Sequence, residues 1–289
     1  MNLGVVFPQT EIGTDPVAIR DYAQGVDAMG YAHLTAFDHV LGASADRPGG
    51  FAGPYTHETP FHEPLVLFGY LAGLTEQIDL VTGILILPQR QTALVAKQAA
   101  QVDVLSGGRM RLGVGAGWNA VEYEGLGQDF HYRGRRLEEQ VALLRALWAE
   151  PVVTFDGRFD HVTRAGINPR PVRARIPIWL GGMADVVLER VGRFADGWFP
   201  QYRDPAQLRD GIARVHRAAE AIGRDPSAIG FQASVSAAEG IPAAVTRARL
   251  WEQNGATDLS INTMRSGFTT VQEHLDAVQE FITRMRATA

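Results

Sequence analysis

Short, nearly unbroken apolar runs alternate along the 289-residue chain with longer stretches in which apolar residues recur at helical spacing. The short runs predict strands at Leu3 to Phe7, Ala32 to Phe37, Asp79 to Ile84, Arg109 to Val114, Ile176 to Leu180, Gly197 to Pro200, Gly230 to Ser234 and Asp258 to Ile261. The periodic stretches predict helices over Pro16 to Met29, Glu63 to Leu74, Ala93 to Leu105, Arg135 to Trp148, Ala184 to Phe194, Pro205 to Ala221, Ala243 to Gln253 and Val271 to Arg286. A strand wetted on one face alternates apolar with polar side chains, whereas Leu3 to Phe7 is apolar almost throughout, as a strand covered on both faces should be. Eight strand-helix pairs with no low-complexity linker predict one α/β domain over residues 1–289, a closed parallel (β/α)8 barrel of the TIM type. An open doubly wound sheet would normally carry G-x-G-x-x-G after its first strand, but that strand here runs into Phe7-Pro8-Gln9-Thr10.

Punctuation between the elements agrees. Asp15-Pro16 reads as a helix cap followed by a first-position proline, and Gly30 follows the last turn of the same helix. Three connections are long: Asp38 to His62, Gly115 to Gly134, and Pro151 to Arg175. Loops after barrel strands lie on the active rim, so those after the second and fourth strands read as lids or substrate walls. The third is an insertion before the fifth strand. Its segment Val152 to Phe159, with Asp156-Gly157 between apolar residues, predicts a small hairpin on the opposite rim or against the barrel side.

Composition narrows the function. The apolar runs stay short of the ~18 residues that span a bilayer, the start of the chain lacks a signal-peptide pattern, and there is no cysteine, so the cytoplasm is the expected compartment. A net charge of −5 without a basic, aromatic-studded patch gives no footprint for nucleic acid. Of 27 basic residues only Lys97 is lysine, and it falls in a predicted helix, which disfavours Schiff-base chemistry of the barrel-aldolase kind. Arg164, Arg170, Arg173 and Arg175 read as a solvated surface.

Two strand ends run straight into glycine-rich turns, Gly115-Ala116-Gly117-Trp118-Asn119 and Gly181-Gly182-Met183. Glycine lets main-chain N–H groups approach a ligand closely, and a helix opening just afterwards favours an anion such as phosphate. Two such ends suggest one extended phosphate-bearing cofactor, although turn chemistry alone also places glycine there. Phe37-Asp38-His39 closes the second strand and puts a proton-exchanging imidazole beside a carboxylate on the functional rim. Trp118 offers a flat wall and Asn119 an amide for a phosphate or ring edge, while Thr82-Gly83-Ile84-Leu85 places a glycine at the third strand end. His57, Glu58, His62 and Glu63 do not have H-E-x-x-H spacing and are interrupted by Pro60 and Pro64; Glu63 reads as a favourable helix start rather than as a metal ligand. Trp179 and Trp198 read as packing, and Glu122, Tyr123 and Glu124 as a solvated loop face.

Taken together, Asp38-His39, the block from Leu87-Pro88-Gln89-Arg90 through Leu105-Ser106-Gly107-Gly108-Arg109, Leu112 through Trp118, and Pro177-Ile178-Trp179-Leu180-Gly181-Gly182 resemble the luciferase-like monooxygenase superfamily, in particular its actinobacterial members that use the deazaflavin coenzyme F420. The resemblance covers nearly the whole chain. It implies a flavin-like ring across the barrel mouth, phosphate held by Gly181, Gly182 and Met183, and a non-proline cis peptide at Gly83-Ile84 supporting the ring. It also implies that His39 acts as acid or base beside the hydride-transfer carbon, that Asp38 helps place the coenzyme, and that the chain forms a homodimer. Some sugar-phosphate dehydrogenases of the superfamily carry a glutamate just after the fourth strand, where this chain has Ala116-Gly117-Trp118; that departure speaks against a sugar phosphate. The implied activity is hydride transfer between F420 and a small organic substrate. Two alternatives stay open: an FMN-dependent monooxygenase fed by a separate flavin reductase, and a non-catalytic flavin- or F420-binding protein.

Overall fold

In the computed structural model, which describes residues 1–287, the chain runs β1 (Asn2–Val6), α1 (Pro16–Ala28), β2 (His33–Ala36), α2 (Pro64–Ala72), β3 (Asp79–Thr82), β4 (Leu85–Ile86), α3 (Thr92–Leu105), β5 (Met110–Gly115), α4 (Ala120–Gly125), α5 (Arg133–Ala149), β6 (Val153–Asp156), β7 (His161–Ala165), β8 (Ile178–Gly181), α6 (Asp185–Phe194), β9 (Gly197–Phe199), α7 (Pro205–Glu220), β10 (Gly230–Ser236), α8 (Ile241–Gln253), β11 (Asp258–Asn262) and α9 (Val271–Ala287). Strands β1, β2, β3, β5, β8, β9, β10 and β11 pair in that order, all parallel, and β11 returns to β1. The expected (β/α)8 barrel is therefore closed. Among the described residues no helix is long and apolar enough to cross a membrane.

The caps behave as their sequences require. Asp15 accepts the Val17 amide at 2.9 Å with Pro16 in the first helical position, and Asp204 does the same for Ala206 ahead of Pro205. Glu63 caps α2 by accepting the Val66 amide at 2.7 Å.

Three expectations are refined. Asp79 to Ile84 is not one strand: β3 aligns Leu80 and Val81 with Met110 and Arg111, whereas β4 aligns Leu85 and Ile86 with Val114 and Gly115. Four steps on one side match three on the other, so one extra residue is taken up as a bulge at 82–84, where the Gly83–Ile84 peptide is cis. The long connection after β5 contains α4. The hairpin β6–β7 forms, but its turn is longer than Asp156-Gly157 alone: Asp156 pairs with His161, and Glu139 of α5 accepts the amides of Arg158, Phe159 and Asp160 at 2.7–2.8 Å. Thr92, at the start of α3, donates to Asp160 at 2.9 Å, so the hairpin lies along the barrel side with its tip near the start of that helix.

The barrel interior is polar at its floor. Arg111 pairs with Asp258 at 3.2 Å and Asp79 at 3.4 Å, with its guanidinium 4.6 Å from the Trp179 ring centroid. Gln232 donates to Ser260 at 2.8 Å and to Thr35 at 3.1 Å, and His33 Nε2 sits 3.0 Å from the Ser260 hydroxyl. Burial, helped by the charge of Arg111, pushes His33 down to about 3, so its ring is neutral. Towards the mouth the lining becomes small. Ser234 is exposed although Ala233 and Val235 beside it on β10 are buried, so the upper barrel opens to solvent. Gly113 leaves no room for a side chain: a Cβ there would meet the Thr82 carbonyl oxygen at 2.0 Å and the Phe199 ring at 2.6 Å.

Gly113→Ala is expected to destabilise the fold by about 2 kcal/mol or more, because main chain blocks the added atom. Gly69→Ala in α2, where a Cβ meets nothing within 4 Å, is expected to be neutral or to stabilise by ~0.5–1 kcal/mol through helix propensity. Urea unfolding of both variants checks this, and equal effects would refute it. His33 also sets a pH dependence: its ordinary value is 6.5 and its folded value about 3, so between them the unfolded chain binds the extra proton. Its contribution is present above pH 6.5 and lost as pH falls towards 3, at up to ~1.4 kcal/mol per pH unit. Unfolding of the native protein and of His33→Asn between pH 7 and 5 should show the shallower slope in the variant.

Candidate active site

His39 lies three residues beyond the end of β2, between two carboxylates that the fold has taken out of water. Asp38, only 3% exposed, accepts the Ile86 amide at 2.9 Å on one oxygen and the Arg90 guanidinium at 2.7 Å on the other. Arg90 also grips Glu63, the cap of α2, at 2.8 Å. Burial pushes the Asp38 carboxyl above its ordinary range, against the pull of Arg90 and the Ile86 amide. Both Asp38 oxygens are thus spent on the β4 rim, and any influence on a coenzyme passes through the bulge.

Glu122 departs most from the sequence reading. It is fully buried, and its carboxylate accepts the Val40 amide at 2.8 Å and the Leu41 amide at 3.3 Å, with each oxygen 3.3 Å from His39 Nδ1. Burial pulls this carboxyl upward, but the hydrogen bond and charge of His39 with the two amides outweigh it and hold the group below the usual carboxylate range. The expected solvated face at 122–124 is correct for Glu124, which pairs with Arg47 at 2.9 Å, and wrong for its two neighbours. Helix α4 is the reason: helical spacing turns Glu122 and Tyr123 inward and Glu124 out. Tyr123 donates to the Ala116 carbonyl at 2.6 Å, pinning the turn that follows β5. A signal was present in the sequence, since Asn119 followed three residues later by Glu122 has the spacing of a helix cap and its acidic partner. Asn119 is that cap, its amide oxygen accepting the Val121 amide at 3.1 Å, so this oxygen is not free for a ligand.

A cavity of about 150 Å³ opens beside the imidazole, lined among others by His39, Tyr55, His57, Phe61, Trp118 and Asn119. Ring centroids of Phe61, Tyr55 and Trp118 stand 4.7, 5.1 and 6.0 Å from that of His39. No arginine or lysine is among the lining residues. Tyr55 and Phe61 escaped sequence reading because the loop that carries them has no periodicity. Arg90 was quoted only as part of a motif, although a charge at the end of an apolar run marked it out.

The two glycine-rich ends meet at the bulge. A Cβ on Gly115 would lie 2.6 Å from Ile84, one on Gly181 2.9 Å from Ile84, and one on Gly117 2.6 Å from Ile86. Gly83, Ile84, the turn 115–119 and Gly181 are therefore contiguous, and Trp118 connects them to His39. Gly182 takes φ +128°, a conformation that favours glycine, and its carbonyl accepts from the Trp198 indole at 2.7 Å. Helix α6 then opens at Asp185 behind Ala184, which carries no side-chain cap, and Met183 is exposed. Its first-turn amides are thus not satisfied by a capping side chain. His57, Glu58, His62 and Glu63 do not converge: His62 donates to the Gly13 carbonyl at 3.1 Å while Glu63 caps α2. Among the described residues no His, Asp or Glu cluster is placed to hold a metal ion. Trp179 and Trp198 are buried packing residues as expected.

Comparison with known proteins now bears on this geometry. The family model described as luciferase-like monooxygenase matches residues 1–289. The F420-dependent hydroxymycolic acid dehydrogenase of Mycobacterium tuberculosis (strain ATCC 25618 / H37Rv) is 30% identical over 263 residues, which cover 89% of this chain and 68% of that protein. Among solved structures, an F420-dependent secondary alcohol dehydrogenase in complex with an F420-acetone adduct superposes with a TM-score of 0.79 at 17% identity, covering 98% of both chains. The monooxygenase RslO1 from Streptomyces bottropensis superposes with a TM-score of 0.74 at 18% identity, covering 98% of this chain and 99% of its own. At those identities the two structures show the shared fold. With its closed barrel, its bulged third strand and a family match along its whole length, the chain belongs to the luciferase-like monooxygenase family.

Proposed function

We propose that the protein is an F420-dependent oxidoreductase that moves a hydride between the coenzyme and a small, uncharged carbonyl compound or alcohol, with His39 exchanging the accompanying proton. The observation that carries this reading is the imidazole itself: it lines an aromatic cavity at the barrel mouth, next to the glycine-rich turns, with an ionised carboxylate behind it. The F420-dependent relative supports the choice of coenzyme.

The residues present fit a deazaflavin. The mouth is lined by small groups, with Ser234 and Ser236 exposed on β10 and glycine at the ends of β5 and β8. Main-chain amides of Gly181, Gly182, Met183 and the uncapped first turn of α6 would hold the phosphate. Gly83 and Ile84 would support the ring, and Gly115 through Asn119 would border it. Asp38 would act at one remove, by fixing Ile86. Bound there, F420 would supply or take a hydride at C5. His39 would give a proton to the carbonyl oxygen of a ketone whose carbon received that hydride, or take one from the hydroxyl of an alcohol that gave up a hydride. Trp118, Phe61 and Tyr55 shape the cavity, and its lack of arginine and lysine disfavours phosphorylated substrates. Residues 1–289 would carry all of this as one domain.

The shared fold also keeps an FMN monooxygenase in play, so the coenzymes are tested against each other. Purified protein titrated separately with F420 and FMN is expected to bind F420, and to oxidise or reduce it with a panel of small ketones and secondary alcohols. Binding of FMN alone would overturn the proposal, as would F420 binding without turnover across the panel. His39→Ala is expected to lower kcat by roughly 10²-fold or more, the usual weight of a general acid or base, with F420 affinity largely kept. Unchanged kcat in that variant would remove His39 from the chemistry.

A further inference from the structure

We propose that Glu122 is a positioning residue for His39: it accepts a hydrogen bond from Nδ1–H, so that the neutral ring keeps its proton on Nδ1 and presents a bare Nε2 to the cavity, and the protonated ring is held as one half of an ion pair. Its bearing on catalysis rests on the role given to His39 above, whereas its structural content does not.

Glu122 is fully buried, and among the described residues its only cationic partner is His39, because the nearby Arg47 pairs with Glu124. Two main-chain amides, of Val40 and Leu41, already donate to the carboxylate and favour its ionised form. An ionised oxygen 3.3 Å from Nδ1 accepts a hydrogen bond only if that nitrogen carries the proton; a lone pair there would face the negative charge. The tautomer of neutral His39 is therefore determined by its neighbour. Nε2 has no hydrogen-bond partner among the described residues, and the ring to which it belongs lines the cavity. The other titratable groups around the imidazole are Tyr55 and His57, from the loop after β2, and Asp38, which precedes it and is neutralised by Arg90. None of them is bonded to Nδ1. Helix α4 thus does two tasks with consecutive residues: Tyr123 fixes the turn after its own strand, and Glu122 reaches across to the exit of β2.

A purely structural reading makes Glu122 an anchor for the amides of Val40 and Leu41, and Glu122→Gln separates the two. The amide oxygen can still accept from both main-chain groups, so the anchor survives. The amide nitrogen then stands 3.3 Å from Nδ1 as a donor, which favours a bare Nδ1 and the reversed tautomer and removes the counter-charge. Long-range ¹H–¹⁵N NMR of histidine side chains in the coenzyme-free protein, with His39→Asn to assign the signal, reads the tautomer directly. The wild type is expected to carry the proton on Nδ1 and Glu122→Gln on Nε2. With F420 bound, the same variant is expected to lose about tenfold or more in kcat and to shift its pH profile, with KM for F420 and thermal stability little changed.

An unchanged tautomer in a folded Glu122→Gln protein would overturn the proposal and leave Glu122 as an anchor. A reversed tautomer in a protein that turns over no substrate would support the pairing and count against the functional reading instead. Should Glu122→Gln fail to fold, Glu122→Asp, which keeps the charge, is expected to retain the Nδ1 proton; Nε2 protonation there would refute the assignment.

Discussion

Withdrawing a carboxylate from water costs several kcal/mol unless opposite charge and hydrogen-bond donors meet it inside the protein, and this constraint organises the rim around His39. Asp38 and Glu122 satisfy it in opposite directions. Asp38 recruits the β4 amide of Ile86 and, through Arg90, the cap of α2. Glu122 recruits the amides of Val40 and Leu41. The five residues from Phe37 to Leu41 are thus held from the third-strand side and the fourth-strand side at once, with Gln9 bonding the main chain of Phe37 at 3.0 and 3.2 Å from the first-strand side. A loop so restrained keeps its imidazole in one place without the substrate's help, and such preorganisation is where an active site gains most.

The barrel interior obeys the same logic along its axis. A barrel of this size is ordinarily plugged by layers of branched apolar side chains. Here the floor is closed by Arg111, Asp79, Asp258, His33 and Gln232, a network whose members come from five strands and in which only His33 Nδ1, 4.0 Å from Asp258, lacks a hydrogen-bond partner. Neutral His33 fits because Arg111 already supplies the positive charge that the two aspartates require. Closing the floor with polar groups leaves the upper half free to be built from glycine and serine. The packing that remains is tight enough that Ile84 touches the positions of both Gly115 and Gly181. Space for a ligand and rigidity of the wall are obtained together, because the small residues sit where neighbouring main chain and Ile84 already fill the room.

How much of this could be read from sequence follows from the range of each interaction. Barrel strands were legible because a strand covered on both faces is apolar in consecutive positions, and caps such as Asp15-Pro16 were legible because they act within three residues. The importance of His39 was legible from its place after a strand. The carboxylate behind it was marked only by the Asn119–Glu122 cap spacing, because α4 is too short for periodicity to register, and its six residues were read as loop. Asp38 was visible, but its partner Arg90 stands 52 residues away, and nothing local says that the two meet. The floor network was hidden for the same reason: one polar residue in each of several apolar strands looks like an exception, and only closure of the barrel makes the exceptions neighbours.

A barrel shared by dehydrogenases and monooxygenases does not choose between their chemistries, so the choice must lie in groups that one reaction needs and the other does not. Hydride transfer to a carbonyl leaves one negative charge on one oxygen, and a single proton delivered at that point removes it. An imidazole held by a carboxylate is suited to that task, since the pair can keep its proton while the site is empty of charge and release it once the alkoxide forms. In such a reaction the aromatic walls around His39 would assist by lowering the local dielectric, which strengthens the attraction between a nascent alkoxide and an imidazolium. The same walls would weaken binding of a permanently charged substrate, for which the cavity offers no arginine or lysine. On the proposed reading, proton delivery and substrate neutrality would be one property of the cavity, both depending on the His39–Glu122 pair lying behind the reacting oxygen.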